Sequence, residues 1–343
     1  MIIEINNILI TKLNDLEKLP TREEFELQIV SFLKLWLNDS NYIQTKTSGS
    51  TGKPKQIRLT KSSMIKSAEL TLAFFNLQQE DSILLCLPSN FIAGKMILVR
   101  SLVGKLKLSS VKPSLNPLKN RTETIDFAAM TPMQVKTVLT ENPEKINLIK
   151  TLIIGGAPVD KKLEQDLKPF KTKCFSTFGM TETITHIAVK ELNKNNEFLA
   201  LPTVTFQKSK ENRLIINAPH LPDSPILTND IVELTSPTTF IWKGRIDNII
   251  NTGGIKVVAE ELELQLIKLI PNNRFFVTSE KDNLLGEKII LIIEGETNSK
   301  LANLNFGAIN KYKVPKKTYF ISSFIESKNG KILKQETKDA LNK

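Results

Sequence analysis

The stretch Thr151-Leu152-Ile153-Ile154-Gly155-Gly156-Ala157-Pro158 decides the fold class of this 343-residue chain. An apolar run typical of a buried strand ends at two glycines and a proline, and a helical pattern follows. Three similar apolar runs, at 83–87, 126–130 and 174–177, also alternate with helical patterns. Strands that alternate with helices predict an α/β fold with a largely parallel sheet.

The rest of the chain indicates a large and a small domain. Thr21 followed by Glu24 is a capping-box pattern at the start of an amphipathic helix, and 107–123 is predicted to be a long surface loop. Short strands separated by proline-bearing turns then predict a β-rich subdomain. We expect a large N-terminal α/β domain over 1–246, with mainly parallel sheets and this β-rich subdomain, and a small α+β C-terminal domain over 247–343.

The composition excludes several classes of protein. Hydrophobic residues make up 41% of the chain, as in globular proteins, and no apolar run approaches the ~20 residues of a membrane-spanning helix. No secretory signal pattern is present, which predicts a cytoplasmic protein. The net charge is +11, but 40 of the 47 cations are lysine, which argues against sequence-specific nucleic-acid binding. Two cysteines and two histidines provide no zinc-site pattern.

The polar run Thr47-Ser48-Gly49-Ser50-Thr51-Gly52-Lys53-Pro54-Lys55 has the chemistry of a phosphate clamp. Its glycines allow close backbone approach, its hydroxyls and amides donate hydrogen bonds, and its lysines supply charge. The spacing differs from the P-loop of NTPases, since Pro54 stands where the magnesium-binding hydroxyl belongs. Taken alone, the run fits a flexible Ser/Gly turn better than a phosphate clamp.

A second polar group follows the strand at 174–177. The stretch Phe178-Gly179-Met180-Thr181-Glu182 places a hydroxyl that can hold a phosphate and a carboxylate that can hold a hard cation at a strand end, where α/β proteins bind ligands. Gly155-Gly156-Ala157 offers a flat backbone surface for an adenine ring. By themselves, Thr181 and Glu182 also fit the first turn of a helix, and the glycine pair fits a plain strand-to-helix turn.

Together these segments resemble the adenylate-forming superfamily of acyl-CoA synthetases, peptide-synthetase adenylation domains and luciferases. The resemblance covers most of the chain, because further superfamily segments follow in order: Thr228-Asn229-Asp230, Gly244-Arg245-Ile246-Asp247, Gly253-Gly254, 260–263 and Asn329-Gly330-Lys331-Ile332. It implies a two-step ligation. A carboxylate attacks the α-phosphate of ATP and releases pyrophosphate, and a thiol then displaces AMP from the acyl-adenylate.

The resemblance also implies which residues bind the nucleotide. The loop from Thr47 to Lys53 would close on the β- and γ-phosphates, Thr181 would contact the α-phosphate, and Glu182 would hold Mg²⁺. Asp230 would accept hydrogen bonds from the ribose hydroxyls with support from Arg245. The remaining nucleotide-binding residues implied by the resemblance are Gly155, Gly156, Ala157, Phe178 and Gly179.

Two further roles concern the C-terminal domain, which the resemblance implies is mobile. Lys331 would reach the α-phosphate and carboxylate oxygens during adenylation, with Thr181 and Glu182 as its catalytic partners. Asp247 would be the hinge about which the domain turns between the two half-reactions. The alternatives are a solvated lysine at 331 and an ordinary turn residue at 247 that pairs with Arg245.

Within the superfamily, the short chain and the segments at 93–102 and 178–186 are similar to the compact o-succinylbenzoate–CoA ligases of menaquinone biosynthesis. Their substrate carries a second carboxylate, for which Arg100 is the expected anchor, with Lys95, Phe91 and His186 as further acid-binding candidates. Lys95 also fits a surface cation that covers apolar neighbours, and His186 a structural histidine.

The implied cofactors are ATP, Mg²⁺ and CoA, and the implied partners are small molecules only. Another aryl- or acyl-CoA ligase, or a nucleotide-binding module without catalysis, remains the alternative. The thiol could also belong to a carrier protein, and a monomer and a homodimer are equally open.

Two departures from the superfamily pattern are visible. The phosphate loop begins at Thr47, so much of the N-terminal region of longer relatives is missing and a reduced sheet is expected. Many relatives carry an aromatic–histidine pair near the acyl pocket, where this chain reads Ser89-Asn90-Phe91-Ile92. A gating role for that histidine is therefore not implied here.

Overall fold

The computed structural model describes residues 3–46, 56–271, 273–307, 309–327 and 332–341. Its contacts divide the chain into two compact units: Met1–Thr205 with Asn217–Ser224, and Phe206–Ile216 with Pro225–Lys343. This division groups the β-rich strands that precede Asp247 with the C-terminal segment. The predicted division into domains over 1–246 and 247–343 stays a prediction, as does the hinge at Asp247. No described helix is long and apolar enough to cross a membrane.

The first unit contains eleven named strands and five named helices among its described residues. In chain order they are β1 (Ile3–Ile5), β2 (Ile8–Ile10), α1 (Glu24–Leu37), β3 (Tyr42–Lys46), β4 (Gln56–Thr60), α2 (Lys61–Phe75), β5 (Ser82–Leu85), α3 (Ile92–Gly104), β6 (Lys107–Ser110), β7 (Ile125–Met130), α4 (Pro132–Glu141), β8 (Ile149–Ile154), α5 (Lys161–Leu167), β9 (Lys173–Gly179), β10 (His186–Glu191) and β11 (Phe198–Ala200).

The main sheet of this unit has the order β11-β10-β9-β8-β7-β5-β6-β1-β2. Neighbours from β9 through β1 are parallel, whereas β10 pairs with β9 and β11, and β2 with β1, in antiparallel fashion. Crossover helices cover both faces, as a parallel sheet requires. The predicted α/β fold class with a mainly parallel sheet is therefore confirmed.

Alternating side chains of the strands reach the helices on opposite faces. Ala128 of β7 lies in a buried cluster with Val135 of α4 and Leu163 of α5. Its neighbour Phe127 points the other way and meets the ring of Phe75 on α2, with ring centroids 5.4 Å apart. This packing makes the sheet a fixed support for the loops at its edge.

The predicted surface loop at 107–123 is wrong at its start. Residues Lys107–Ser110 form β6, which pairs in parallel with β5 on one side and with β1 on the other. Only Leu108 of this strand is a buried hydrophobic residue. The strand is held in the sheet by pairing with its two neighbours, so its own sequence gives little indication that it forms a strand.

The second unit is β-rich at its start and mixed afterwards. Its elements are β12 (Thr205–Lys208), β13 (Arg213–Asn217), β14 (Ile226–Ser236), β15 (Thr239–Arg245), β16 (Ile249–Thr252), β17 (Ile255–Val258), α6 (Ala259–Leu266), β18 (Phe275–Asp282), β19 (Gly286–Glu294), α7 (Ser299–Ala302), β20 (Lys317–Ile321) and α8 (Lys334–Ala340).

These strands form two sheet segments. The first has the order β12-β13-β14-β15, and the second the order β17-β16-β19-β18, with β20 added in parallel to β19. Leu262 of α6 packs in a cluster with Leu291 of β19, whereas Ile290 and Ile292 lie in a separate cluster with Leu341 beside them. Helix α6 thus covers one face of the second segment, and Leu341, the residue that follows α8, packs on the opposite face, as expected for an α+β unit.

Candidate active site

The carboxyl ends of β5, β7, β8 and β9 lie along one edge of the main sheet. The register aligns Met130, Ile154 and Ser176 across β7, β8 and β9, so the loops that follow these strands are neighbours. The chain passes from β5 to β6 on one side and returns to β7 on the other, which makes a topological switch point beside β5. Open α/β sheets bind their ligands at such points.

The glycine pair after β8 forms an open backbone surface at this edge. Gly155 N donates to Met130 O at 3.1 Å, and Thr177 Oγ1 donates to Ile154 O at 3.2 Å. A Cβ on Gly155 would lie 2.4 Å from Thr177 Oγ1, so a larger residue here would displace the Thr177 hydroxyl from its contact with Ile154 O. The ring of Phe178 lies 5.7 Å from that of Phe198 on β11. The surface suits a flat aromatic ring such as adenine.

Residues 180–185 form a tight turn between β9 and β10. Thr183 Oγ1 accepts from Met180 N at 2.9 Å and donates to Thr185 O at 2.7 Å, and Ile184 N donates to Thr181 O at 2.9 Å. No helix follows, so the alternative in which Thr181 caps a helix is wrong. The buried Ile184 has a φ of 67°, which a β-branched residue rarely adopts. Strain of this kind is typical of binding and catalytic turns.

Glu182 on this turn is available for a cation. Its side chain is exposed, and no hydrogen bond or ion pair from the part of the chain described here engages it. Among the same residues, no cluster of three or more His, Cys, Asp or Glu side chains could hold a metal. A single carboxylate fits Mg²⁺ that takes its other ligands from phosphates and water.

Gly179→Ala is expected to destabilise the first unit by about 1–3 kcal/mol through overpacking. A Cβ at this position would lie 2.3 Å from Thr185 O and 2.6 Å from His186 Cα, both of which are backbone atoms. The turn must therefore shift. The measurement is the free energy of unfolding in urea. In the control Gly307→Ala, the Cβ meets only the exposed Asn305 side chain, and a loss as large as that of Gly179→Ala would contradict this reason.

The expected acid-binding residues lie on α3 and at the start of β10. Gly94 presses the first turn of α3 against the preceding loop, since a Cβ there would lie 2.3 Å from Pro88 O. Arg100, two turns further on, is 1% exposed, and its Nη2 donates to Thr185 Oγ1 at 3.1 Å. His186 is also buried, and its Nδ1 lies 3.2 Å from the same oxygen. The structure thus brings Arg100 and His186 together through Thr185.

The other two acid-binding candidates differ from this pair. Lys95 is buried, its Nζ donates to Asn90 O at 2.6 Å, and burial lowers its pKa to about 8. It is therefore not a cation that extends along the surface. Phe91 precedes α3 and is 41% exposed. Neither side chain contacts the Arg100–Thr185–His186 group through any hydrogen bond of the described residues.

The electrostatic environment of the Arg100 guanidinium is unusual. Burial lowers the pKa of Arg100 to about 9, and no carboxylate of the described residues forms an ion pair with it. Its Nε is buried without a hydrogen-bond partner there. Burial, and then the charge of Arg100, lower the pKa of His186 well below its usual value. The pair is therefore one cation beside one neutral ring.

The pH dependence of stability is expected to reveal this neutral histidine. Below pH 6.5 the unfolded chain takes up a proton at His186 and the folded chain does not, so stability falls as the pH falls, by up to about 1.4 kcal/mol per pH unit. In His186→Gln this contribution disappears, and the curve between pH 6.5 and 5 is flatter. Urea unfolding of both proteins measures it, with pH 7–8 as the internal control. Equal slopes below pH 6.5 would contradict it.

The second unit carries the expected ribose-binding group. Trp242 Nε1 donates to Asp230 Oδ1 at 2.9 Å, and Arg245 Nη1 lies 4.0 Å from the same oxygen. Arg245 Nη2 also contacts Asp247 Oδ2 at 2.6 Å, and Asn229 Nδ2 donates to Asp247 Oδ1 at 3.1 Å. Asp230 Oδ2 receives no hydrogen bond from the described residues. This oxygen is free for a diol.

Two groups of expected site residues lie outside the described residues: the phosphate loop, Thr47, Ser48, Gly49, Ser50, Thr51, Gly52 and Lys53, and the lysine at 331. Their flanks are described. Strands β3 and β4 pair up to Lys46 and Gln56, and Glu326 bridges to Ile332. Immediately after that bridge, Lys334 Nζ at the start of α8 contacts Glu263 Oε1 on α6 at 2.8 Å.

Sequence reasoning missed several residues that shape the site. Thr185 and Trp242 hold Arg100, His186 and Asp230 in place. Thr185 lies within the 178–186 segment used above but was given no role there, and Trp242 lies outside every segment used above. Trp242 reaches Asp230 across the β14–β15 pair, in which it lies opposite Val232, two residues beyond Asp230. Thr185 lies in the turn before β10 and contacts Arg100 on α3. The sequence could have indicated Trp242 only as an aromatic residue that lies, across a predicted strand pair, two positions from a motif residue.

Comparisons with known proteins agree on one family. The family model described as AMP-binding enzyme matches residues 13–214. A relative from Haemophilus influenzae named 2-succinylbenzoate--CoA ligase is 24% identical over 320 residues, which cover 87% of this chain and 70% of the relative. A relative of the same name from Bacillus subtilis is 22% identical and covers 95% and 74% of the two chains.

Solved structures give the same result. The acyl-CoA synthetase (AMP-forming)/AMP-acid ligase II-like protein from Dyadobacter fermentans is 30% identical, with a TM-score of 0.66 over 96% of this chain and 99% of that one. The O-succinylbenzoate Coenzyme A Synthetase from Bacillus subtilis, in complex with ATP and magnesium ion, has a TM-score of 0.74 at 19% identity. The match covers 86% of this chain and 69% of that one.

Proposed function

Because this chain belongs to the AMP-binding enzyme family of AMP-forming ligases, we propose that it joins a carboxylic acid to the thiol of CoA at the expense of ATP. The acid is o-succinylbenzoate, the products are o-succinylbenzoyl-CoA, AMP and pyrophosphate, and the cofactors are ATP, Mg²⁺ and CoA. The proposal includes a role in menaquinone biosynthesis and a location in the cytoplasm. The names of the curated relatives support this choice of acid.

The single observation that carries the proposal is the buried, unpaired guanidinium of Arg100. A buried cation without a counter-ion costs free energy unless a ligand supplies the missing charge. The group lies on α3 beside the ligand-binding edge of the sheet, and its nearest polar partners, Thr185 and His186, carry no negative charge. An acid with a second carboxylate would supply that charge.

The described residues have distinct tasks in this mechanism. Asp230 would receive the ribose hydroxyls, and the glycine surface at Gly155 would receive the adenine ring. Thr181 would donate to the α-phosphate. Bound Mg²⁺, held through Glu182, supplies charge neutralisation on the phosphates. The catalysis is positioning and electrostatic stabilisation, because neither step needs a covalent enzyme intermediate.

The test is the release of pyrophosphate from ATP and Mg²⁺ with a panel of carboxylic acids, with and without CoA. We expect release with o-succinylbenzoate, and its CoA thioester only when CoA is present. Release with a different acid would support the ligase activity and contradict the choice of o-succinylbenzoate. The absence of release with every acid, despite measurable ATP binding, would favour a nucleotide-binding module without catalysis.

A further inference from the structure

The hydroxyl of Thr185 connects the two buried polar side chains beside the acid-binding edge. Its Oγ1 lies 3.1 Å from Arg100 Nη2 and 3.2 Å from His186 Nδ1. A guanidinium N–H can only donate, so Thr185 Oγ1 accepts from Arg100. The hydrogen of the hydroxyl is then free to point at His186 Nδ1, which accepts it when that ring nitrogen carries no proton.

The number of satisfied hydrogen-bonding groups favours the neutral tautomer with its proton on Nε2 over the one with its proton on Nδ1. With the proton on Nδ1, the ring would donate to Thr185 Oγ1, and the hydroxyl hydrogen would find no acceptor among the described residues. The bare Nε2 would also lack a donor there. Two buried groups would then be unsatisfied instead of one, and buried polar groups are rarely left without partners. The charge of neighbouring Arg100 opposes a doubly protonated ring.

His186 therefore carries its proton on Nε2, and this N–H has no partner in the described part of the chain. The Nε of Arg100 is buried without a partner in the same way. His186 is 4% exposed and Arg100 is 1% exposed, so bulk water does not satisfy either donor freely. Two unpaired donors, tied to each other by Thr185, mark a place for acceptor atoms of a ligand.

We propose that Thr185 is a positioning residue that fixes His186 as the Nε2–H tautomer, so that His186 and Arg100 together donate to the acceptor oxygens of the acid that lie away from its reacting carboxylate. The identity of the acid rests on the proposed function, but the tautomer does not. A neutral histidine adds a donor without adding charge. The site then balances one negative charge, that of a second carboxylate, with the single cation of Arg100.

The first experiment reads the tautomer directly and needs no activity. The chain has two histidines, so protein labelled with ¹⁵N in the imidazole rings gives two ring systems by long-range ¹H–¹⁵N correlation, and His220→Gln assigns them. At pH 7 we expect a pyridine-type Nδ1 and a pyrrole-type Nε2 for His186. Thr185→Ser should keep this pattern, and Thr185→Val should give a mixture of tautomers. An Nδ1–H ring or an imidazolium in the unmodified protein overturns the proposal.

The second experiment compares o-succinylbenzoate with the same acid lacking its ring carboxylate. Thr185→Val should raise the KM for o-succinylbenzoate about tenfold, with kcat and the KM for ATP changed less than about twofold, and Thr185→Ser should restore the KM. The truncated acid should not distinguish these proteins. An equal rise for both acids, or no rise for either, overturns the proposal.

A variant pair at the histidine completes the test. His186→Gln places an amide N–H close to the position of Nε2 and should keep most of the affinity for o-succinylbenzoate, whereas His186→Met removes the donor and should lose about tenfold. Equal affinities in the two variants would contradict the role of this donor. If no acid is turned over at all, the proposed function fails, and the ring spectrum still decides the tautomer.

Discussion

Arg100→Met is expected to stabilise the ligand-free protein by about 1–4 kcal/mol and to raise the KM for o-succinylbenzoate by about 10²-fold or more. The guanidinium is 1% exposed and has no carboxylate partner among the described residues. Methionine fills a similar length of the core without a charge, so the cost of burying an unpaired cation disappears. Thermal unfolding and steady-state kinetics measure the two effects. A gain in stability together with a higher KM would indicate that Arg100 binds the acid, whereas a loss of stability would indicate a structural role.

Arg100→Lys is the matched control for this prediction. It keeps the positive charge and loses the forked geometry, so we expect no gain in stability and a smaller rise in KM than in Arg100→Met. The ligand provides a second check, because o-succinylbenzoate should raise the melting temperature of the unmodified protein and leave that of Arg100→Met unchanged. A less stable Arg100→Met protein with an unchanged KM would show that Arg100 serves the fold instead.

Lys331→Ala is expected to slow formation of the acyl-adenylate by about 10²–10³-fold, with the KM for ATP changed less than about threefold. The reason is that the superfamily resemblance gives this lysine the α-phosphate and carboxylate oxygens, on which negative charge develops during attack. The structure describes its flank, where the Glu326–Ile332 bridge is followed by the contact between Lys334 and Glu263. Single-turnover release of pyrophosphate measures the step.

Two controls keep this prediction specific. Lys328→Ala removes an equal charge three residues earlier in the same segment, and it should retain adenylation within about threefold. Thioester formation from acyl-adenylate supplied in place of ATP should also survive in Lys331→Ala, since the resemblance gives this lysine a role in adenylation only. Equal losses in both half-reactions would indicate a general disruption of the second unit and would contradict the proposed role.

Apolar strands were predictable, and strands defined by their neighbours were not. The run at 149–154 is buried along most of its length, so composition alone indicates a strand. In β6, by contrast, only Leu108 is a buried hydrophobic residue, and its assignment depends on β5 and β1, which are distant in sequence. Pairing between remote segments is what a local pattern cannot contain.

The start of α1 shows the same limit at the scale of two residues. Thr21 and Glu24 match the capping-box pattern, but the helix begins at Glu24, and Glu26 Oε2 accepts from the backbone N of Arg22 and Glu23. Several polar residues in a row allow more than one register for the cap. Which register forms depends on how the helix packs.

The residues of the candidate site also fall into those that the local sequence identifies and those that it does not. Glycines and the Thr181–Glu182 pair were identifiable because their chemistry is written in consecutive residues. The role of the Thr185 hydroxyl was not, because it depends on Arg100, which lies 85 positions earlier in the sequence and reaches Thr185 from α3. The candidate binding residues could be identified from local pattern, whereas the residues that orient them could be identified only from the fold.

The turn at 180–185 has a consequence for how this protein can change its specificity over generations. One six-residue segment holds Thr181 and Glu182, proposed to handle phosphate and metal, together with Thr185, proposed to orient the acid-binding group. The hydroxyl of Thr183 links its two ends through Met180 N and Thr185 O. A substitution at Thr183 is therefore expected to disturb the phosphate-facing and the acid-facing residues of the turn together, whereas a change confined to the side chain of Thr185 alters the acid alone. New acids are more readily acquired through α3, which contributes Arg100 but no proposed nucleotide ligand.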